Sequence, residues 1–331
     1  MKQVRATLLD IASAAGVSKM TVSRFLRDPS SVSNKYRTKI SNEVARLGYI
    51  PNKAPNMLSN SKSYVIGVLV PSLRNQVFAD VLNGIECVMD ENGYHTMLAH
   101  TSYDIEKEEN QIRSLLSYNI DGIIMSERSH TKTTIEMLKN IGIPAVELMD
   151  SSLPCLDMAV GINTYDATQK MIAKMLEKGY ERIVYLSARQ DDRTILRQKA
   201  YEDIMRDNGL PFKTIATKES SSYSLGKQLL YKAITEDPAT DGVLCTNDDL
   251  AIGALLECRA LGLEVPKQIA IAGFHGHEIG QAFIPKLASV LTPRYEMGKI
   301  AAKLLLKRIN GEDVSEPIVE LPVSILSGGT I

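Results

Sequence analysis

Residues 7–26 read TLLDIASAAGVSKMTVSRFL, and the succession of caps, apolar steps and a glycine in this stretch decides how the chain begins. Thr7 offers a side-chain oxygen to the backbone N–H groups of a helix start, and Asp10 puts an acid in the first turn, where the helix dipole favours it. Leu8, Ile11, Ala12 and Ala15 then recur at helical spacing, and Gly16 supplies the stop. Ser18 caps a second helix over 19–26, with Val22 and Phe25 or Leu26 turned inward and Lys19, Met20, Ser23, Arg24 and Arg27 left outward. Two short helices across a glycine-bearing turn predict a helix-turn-helix. Farther along, Ile40, Val44 and Leu47 predict a third helix over 34–47, enough to close a small all-α core.

Charge separates this segment from the rest. Residues 1–60 hold ten Lys/Arg against Asp10, Asp28 and Glu43, while 61–331 hold 28 basic and 36 acidic side chains. A basic head of this size is a candidate binder of nucleic acid, whose phosphates attract cations whatever the base sequence. The composition, 44% hydrophobic and 23% charged, fits a globular protein of two or three domains and excludes a disordered one. No apolar run approaches the ~18 residues of a membrane span, and MKQVRATLLD carries charges where an export signal needs apolar residues, so no membrane partner is expected. Cys87, Cys155, Cys245 and Cys258 show no CxxC spacing, which predicts reduced thiols in a cytoplasmic protein and no zinc site.

From about residue 63 the pattern changes to short apolar runs separated by helical segments. VIGVLV (65–70), HTMLAH (95–100), GIIMS (122–126), PAVELM (144–149) and AVGI (159–162) come first. RIVYLS (182–187), KTIAT (213–217), GVLCT (242–246), IAIAGF (269–274), ASVLT (288–292) and IVELPVSIL (318–326) complete the series. Continuous apolar strands alternating with helices predict parallel sheets covered on both faces, and two smaller lobes rather than one very wide sheet. Ligands of such sheets sit beyond the strand carboxyl ends, which points to 71–78, 126–130, 147–150, 188–201, 246–249 and 273–277. No Ser/His/Asp spacing, Walker loop or dinucleotide fingerprint is present, Asp248 and Asp249 need not face one site, and His275 and His277 lack an evident third metal ligand. The sequence therefore predicts no enzyme, no cofactor and no metal.

The segments LLDIASAAGVSKMTVSRFL (8–26), VSNKYRTKI (32–40) and LGYIPNKAPNMLS (47–59) resemble the headpiece of the LacI family of transcription regulators, through D-I-A-x-x-A-G-V-S, T-V-S-R and G-Y-I-P-N at the family's spacing. That resemblance implies that the helix after Ser18 enters the major groove of a pseudo-palindromic operator in double-stranded DNA. It gives Lys19 and Met20 the base-reading positions, Arg24 an operator contact, and Thr7, Ser18, Thr21 and Ser23 phosphate contacts. Asn52–Ser59 matches the family's hinge helix, with Asn52 as its cap and Leu58 as the side chain that wedges the minor groove; Pro55 departs from the commonest pattern.

The resemblance extends over essentially the whole chain. It implies a head over 1–51, a hinge and linker over 52–62, and over 63–331 a periplasmic-binding-protein-like effector domain of two lobes joined by three crossovers. The N-lobe is expected at about 63–163 plus 293–322 and the C-lobe at about 164–292 plus 323–331. By residue-wise similarity Asn75, Phe78, Ser126, Asp150 or Glu147, Arg197, Asn247 and His275 line the cleft, with Arg128 and Arg193 also in reach. Three positions depart from the family: His275 stands where an aspartate is usual, Ser221 with Tyr223 nearby stands for an aromatic platform, and Ala200 replaces a glycine ahead of Tyr201. Arginines and a histidine suit an anionic polyol, hence a sugar acid, and NQVFADVLNGIE (75–86), NIDGIIMSERSH (119–130) and IAGFHGHEIG (271–280) are similar to the gluconate- and idonate-responsive members. The expectation is a homodimeric repressor of sugar-acid uptake and catabolism genes, released from its operator by gluconate, with idonate or another sugar acid, and a corepressor or activator mode, as the alternatives; a free-standing sugar-acid binding protein is the rival that the basic head opposes.

Overall fold

The computed structural model describes residues 6–51, 62–152 and 154–331, and the chain divides into two compact units, 1–63 and 64–331. In the first, α1 (Leu8–Ala15) is held at its start by a reciprocal cap: the Thr7 hydroxyl accepts from the Asp10 N–H at 3.3 Å while the Asp10 carboxylate accepts from the Thr7 N–H at 2.7 Å. Gly16 ends it at φ 66°, a left-handed conformation that carries no Cβ penalty in glycine. In α2 (Lys19–Arg27) the Ser18 hydroxyl caps the Thr21 N–H at 3.1 Å, and α3 (Asn34–Arg46) follows a short turn at Pro29–Ser31. Ile11, Ala12, Ala15, Val22, Val32 and Ile40 form the buried centre, with Phe25, Leu26, Val44 and Leu47 packed around it.

The second unit contains two six-stranded sheets. The strands are β1 (Val65–Val70), β2 (His95–His100), β3 (Gly122–Met125), β4 (Ala145–Asp150), β5 (Met158–Ile162), β6 (Ile183–Ser187), β7 (Lys213–Ala216), β8 (Gly242–Cys245), β9 (Ala270–His275), β10 (Ala288–Leu291), β11 (Ile318–Glu320) and β12 (Ser324–Leu326). One sheet runs β11-β5-β4-β3-β1-β2 and the other β12-β10-β9-β8-β6-β7. Strand β1, paired on both sides and covered on both faces, is the unbroken VIGVLV run, whereas β2 at the sheet edge has only exposed and half-buried positions. The apolar run 318–326 forms two strands. Pro322, which has no N–H to give a ladder, interrupts it, and β11 joins the first sheet while β12 pairs antiparallel with β10 in the second. The second sheet is therefore not wholly parallel.

The chain passes between sheets three times: after β5, after β10 and between β11 and β12. The helices are α4 (Gln76–Glu91), α5 (Ile105–Ser117), α6 (Lys132–Ile141), α7 (Thr164–Glu177), α8 (Asp192–Asp207), α9 (Tyr223–Glu236), α10 (Asp248–Leu261), α11 (Glu278–Ala282) and α12 (Arg294–Ile309). Helices α4 and α12 cross with backbones in contact. A Cβ on Gly84 would run into the Tyr295 carbonyl oxygen, and one on Gly298 into that of Val81. No described helix is long and apolar enough to cross a membrane.

Candidate functional site

Each sheet reverses its strand order beside its first strand, at β1/β3 in one lobe and at β6/β8 in the other. Such switch points leave a crevice beyond the strand carboxyl ends. The segments at the carboxyl ends of β1, β2, β6, β8 and β9 face one another across the cleft. They bring Asn75, Phe78, Arg193, Arg197, Asn247 and His275 onto one pocket wall, together with Tyr103, Arg189, Asp191, Thr194 and Thr246. The open space is about 40 Å³, room for a few waters at roughly 10–15 Å³ each.

The pocket is narrow because side chains bridge it. Arg193 at the start of α8 donates to the Ser126 carbonyl at 2.9 Å and to the Glu127 carboxylate at 2.8 Å, both after β3 in the other lobe. Ser129 donates to Asp192, and Arg189 to the Tyr103 hydroxyl. Arg294, at the start of α12, grips Asp80 of α4 at 2.8 Å and donates to the His275 carbonyl at the end of β9. On the far side of Arg193 lies a second space of about 20 Å³, lined by Glu127, Arg128, Asp150, Asp192 and Leu196.

At the floor, Arg197 is 5% exposed and packs 3.7 Å over the Phe274 ring. One of its nitrogens donates to the Thr246 carbonyl at 2.6 Å, its Nε has no partner, and among the described residues no carboxylate lies within ion-pair distance. Burial lowers its pKa to about 10. His275 sits beside it in left-handed backbone, φ 101°. Burial first, then the Arg197 charge, push the imidazole pKa well below its ordinary value, so the ring is neutral near pH 7. Asn247 caps α10, its Oδ1 accepting from the Leu250 N–H at 3.2 Å and from the Ser221 hydroxyl at 2.7 Å. Ser221 thus supports a site amide rather than a ring platform, and Tyr223 is 43% exposed. Asp248, pushed up to about 7 by burial, accepts from Ser289 at 2.6 Å and from the His277 N–H at 2.5 Å, which fixes the loop that carries His275.

Four expected residues are not on the pocket wall. Ser126 turns its hydroxyl to the Leu69 carbonyl, 3.1 Å away. Arg128 and Glu147 form a buried ion pair at 3.4 Å, and Arg128 also donates to the Asp150 and Pro154 carbonyls. His130 completes that cluster between Glu108 at 2.8 Å and Glu147 at 3.3 Å; the expected cation and acid are spent on each other inside the lobe. Asp150 faces the second space: Oδ1 takes the Ser152 N–H at 2.8 Å, whereas Oδ2 is buried without a partner. Arg189 falls within the segment 188–201 but is not among the expected residues, and Tyr103 lies outside the expected segments, although it too follows a strand end.

In the head, Lys19 and Met20 open α2 exposed, Met20 at 75%, and Arg24 is exposed one turn on. No carboxylate pairs with Lys19 or Arg24 among the described residues. Ser18 and Thr21 share a hydroxyl contact of 2.9 Å, Thr7 is engaged with Asp10, and Ser23 is half-buried. Asn52 and Leu58 lie outside the described residues.

Residues 7–52 match the family described as bacterial regulatory proteins, lacI family, and 172–331 the periplasmic binding protein-like domain. The chain is 54% identical to the HTH-type transcriptional regulator GntR of Escherichia coli K12 and 46% identical to IdnR of the same strain, in each case over 100% of both chains. A LacI-family transcriptional regulator from Silicibacter pomeroyi superposes with a TM-score of 0.92 at 33% identity, covering 98% of this chain and 99% of that one. These relatives are transcription regulators rather than enzymes, and full-length identity of this extent shows that the chain belongs to the LacI family of bacterial transcription regulators.

Proposed function

We propose that the protein is a cytoplasmic homodimeric repressor whose two heads read the half-sites of a pseudo-palindromic operator and which a sugar acid, gluconate first, releases from DNA. Residues 1–51 serve as the head, 52–62 as the hinge and 63–331 as the effector domain. Lys19 and Met20 read bases, Arg24 joins them, and Thr7, Ser18, Thr21 and Ser23 face phosphates, with Asn52 and Leu58 in the hinge.

One observation carries the effector reading: Arg197 is a buried cation on the pocket floor with no carboxylate within ion-pair distance among the described residues, Asp191 and Asp150 acting on it only from farther away. A buried charge without a direct ion-pair partner is costly, and a ligand carboxylate lowers that cost. Asn75, Asn247, Thr246 and Asp191 supply amide, hydroxyl and carboxylate partners for the hydroxyls of such an acid. Phe78 and His275 close the apolar and neutral walls, and Asp150 with its unpartnered oxygen joins once Arg193 moves aside. Because the space present is too small for a six-carbon acid, binding requires the bridges through Arg193, Asp192 and Arg189 to break. Ligand occupancy and lobe arrangement are thereby coupled, as release from DNA demands.

The test is to titrate gluconate into the protein bound to a fluorescent candidate operator at fixed salt, following anisotropy, with idonate and a neutral hexose as controls. Release by an acid and not by the neutral sugar supports the reading. Tighter DNA binding would establish corepression instead, and indifference to both acids would remove the sugar-acid assignment. Lys19→Ala should weaken specific operator more than random DNA; equal loss on both would make Lys19 a phosphate contact.

A further inference from the structure

Tyr103, in the loop between β2 and α5, and Arg189, in the loop between β6 and α8, meet across the cleft, one from each lobe. Each belongs to a pair of successive non-glycine residues in left-handed backbone, Ser102 and Tyr103 at φ 59° and 61°, Arg189 and Gln190 at 68° and 59°. Side chains with a Cβ avoid this region, and residues held there gather at ligand clamps. Arg189 donates to the Tyr103 hydroxyl, its guanidinium carbon lies 4.7 Å from the ring centroid, and Asn75 Nδ2 donates to the same hydroxyl at 3.5 Å. No carboxylate pairs with Arg189 among the described residues. Burial raises the Tyr103 pKa, so the phenol keeps its proton and remains a donor. Both side chains are half-buried, whereas Arg197 at the floor is buried. The pocket therefore has a cationic inner end and an outer end where a hydroxyl, an amide and a guanidinium converge.

Resting on the reading above that Arg197 takes the carboxylate, we propose that Tyr103 and Arg189 determine specificity for the hydroxylated far end of an open-chain polyhydroxy acid. A ligand anchored at the floor runs outward. Only a chain long enough to pass from Arg197 to the rim reaches this pair, and its terminal hydroxyls replace the Tyr103–Arg189 bond with one bond to each lobe. A shorter acid satisfies Arg197 and leaves the rim pair joined. The two residues thus measure length and polarity together, which separates six-carbon aldonates from short hydroxy acids that share the same carboxylate.

Isothermal titration of the full-length protein with gluconate and with the four-carbon aldonate threonate tests this, using wild type, Tyr103→Phe and Arg189→Gln. Wild type should favour gluconate, and each variant should lose about tenfold in gluconate affinity, on the scale of one lost hydrogen bond, while threonate affinity stays within about twofold. Thermal melts identify folded variants, and Arg189→Lys, which keeps the charge without the planar fork, reads the same ratio should Tyr103→Phe fail to fold. A gluconate-to-threonate ratio preserved in the folded variants overturns the assignment of Tyr103 and Arg189 alone, as does a wild type that binds both acids equally. A wild type that binds neither acid overturns the sugar-acid reading itself and this inference with it.

Discussion

Two buried charges with opposite surroundings illustrate what single residues do in this protein. No carboxylate lies within ion-pair distance of Arg197 among the described residues, so Arg197→Met should leave thermal stability equal or higher while abolishing the effector's release of operator; a large loss of stability would mean that the Thr246 carbonyl contact is structural. His130 is the reverse. Burial opposes its charge, but hydrogen bonds and charges from Glu108 and Glu147 win, and its pKa rises to about 9. A raised folded value means that this contribution is complete below the unfolded pKa near 6.5 and disappears as pH climbs through about 9. At about 1.4 kcal/mol per unit, roughly 3 kcal/mol is at stake. Urea titrations at pH 7 and pH 10 should differ by that order in wild type and by much less in His130→Gln, once Arg128, Cys155 and the two carboxylates are common to both. Sequence alone could not sort these groups. Arg128 and Arg197 follow apolar runs and Glu147 lies within one, and nothing in their spacing says that Arg128 and Glu147 pair inside the lobe while Arg197 has no carboxylate within ion-pair distance among the described residues.

At the scale of elements, most of the architecture was legible. The head helices follow from caps at Thr7 and Ser18 and the stop at Gly16, and ten of the apolar runs mark one strand each, because a buried parallel strand must be apolar on both faces. The run at 318–326 holds two strands that its apolar pattern alone does not separate, since that pattern persists through a proline that the ladders cannot accommodate. Helix crossings left even less trace: that Gly84 and Gly298 meet neighbouring carbonyls is visible only in space. Gly298→Ala should cost about 1–3 kcal/mol or more through overpacking of α4 against α12, measured by urea denaturation. A neutral result would show that the pair can slide apart. Thr7→Ala should cost about 1 kcal/mol through loss of the cap, read in the melting of the head.

For the whole molecule, the two units have separate cores, the head around Ile11, Val22 and Ile40 and the body around its sheets. Ligand binding in the body should therefore raise one calorimetric transition and leave the other in place. At a hundredfold excess over Kd the gain is about 2.7 kcal/mol at fixed protein concentration, and equal shifts in both transitions would show that the units unfold together. The interleaving of the sheets has a further consequence, for the order in which the chain can fold as it is made. All three helices of the head emerge early and can pack at once. Neither lobe can be completed until the ribosome has delivered residues 318–326, because the last strand of each sheet lies there, and Thr330 then closes the second sheet through its bonds to Ile271 and Ala288. A DNA-binding head is thus finished on the nascent chain while the domain that governs it is still open.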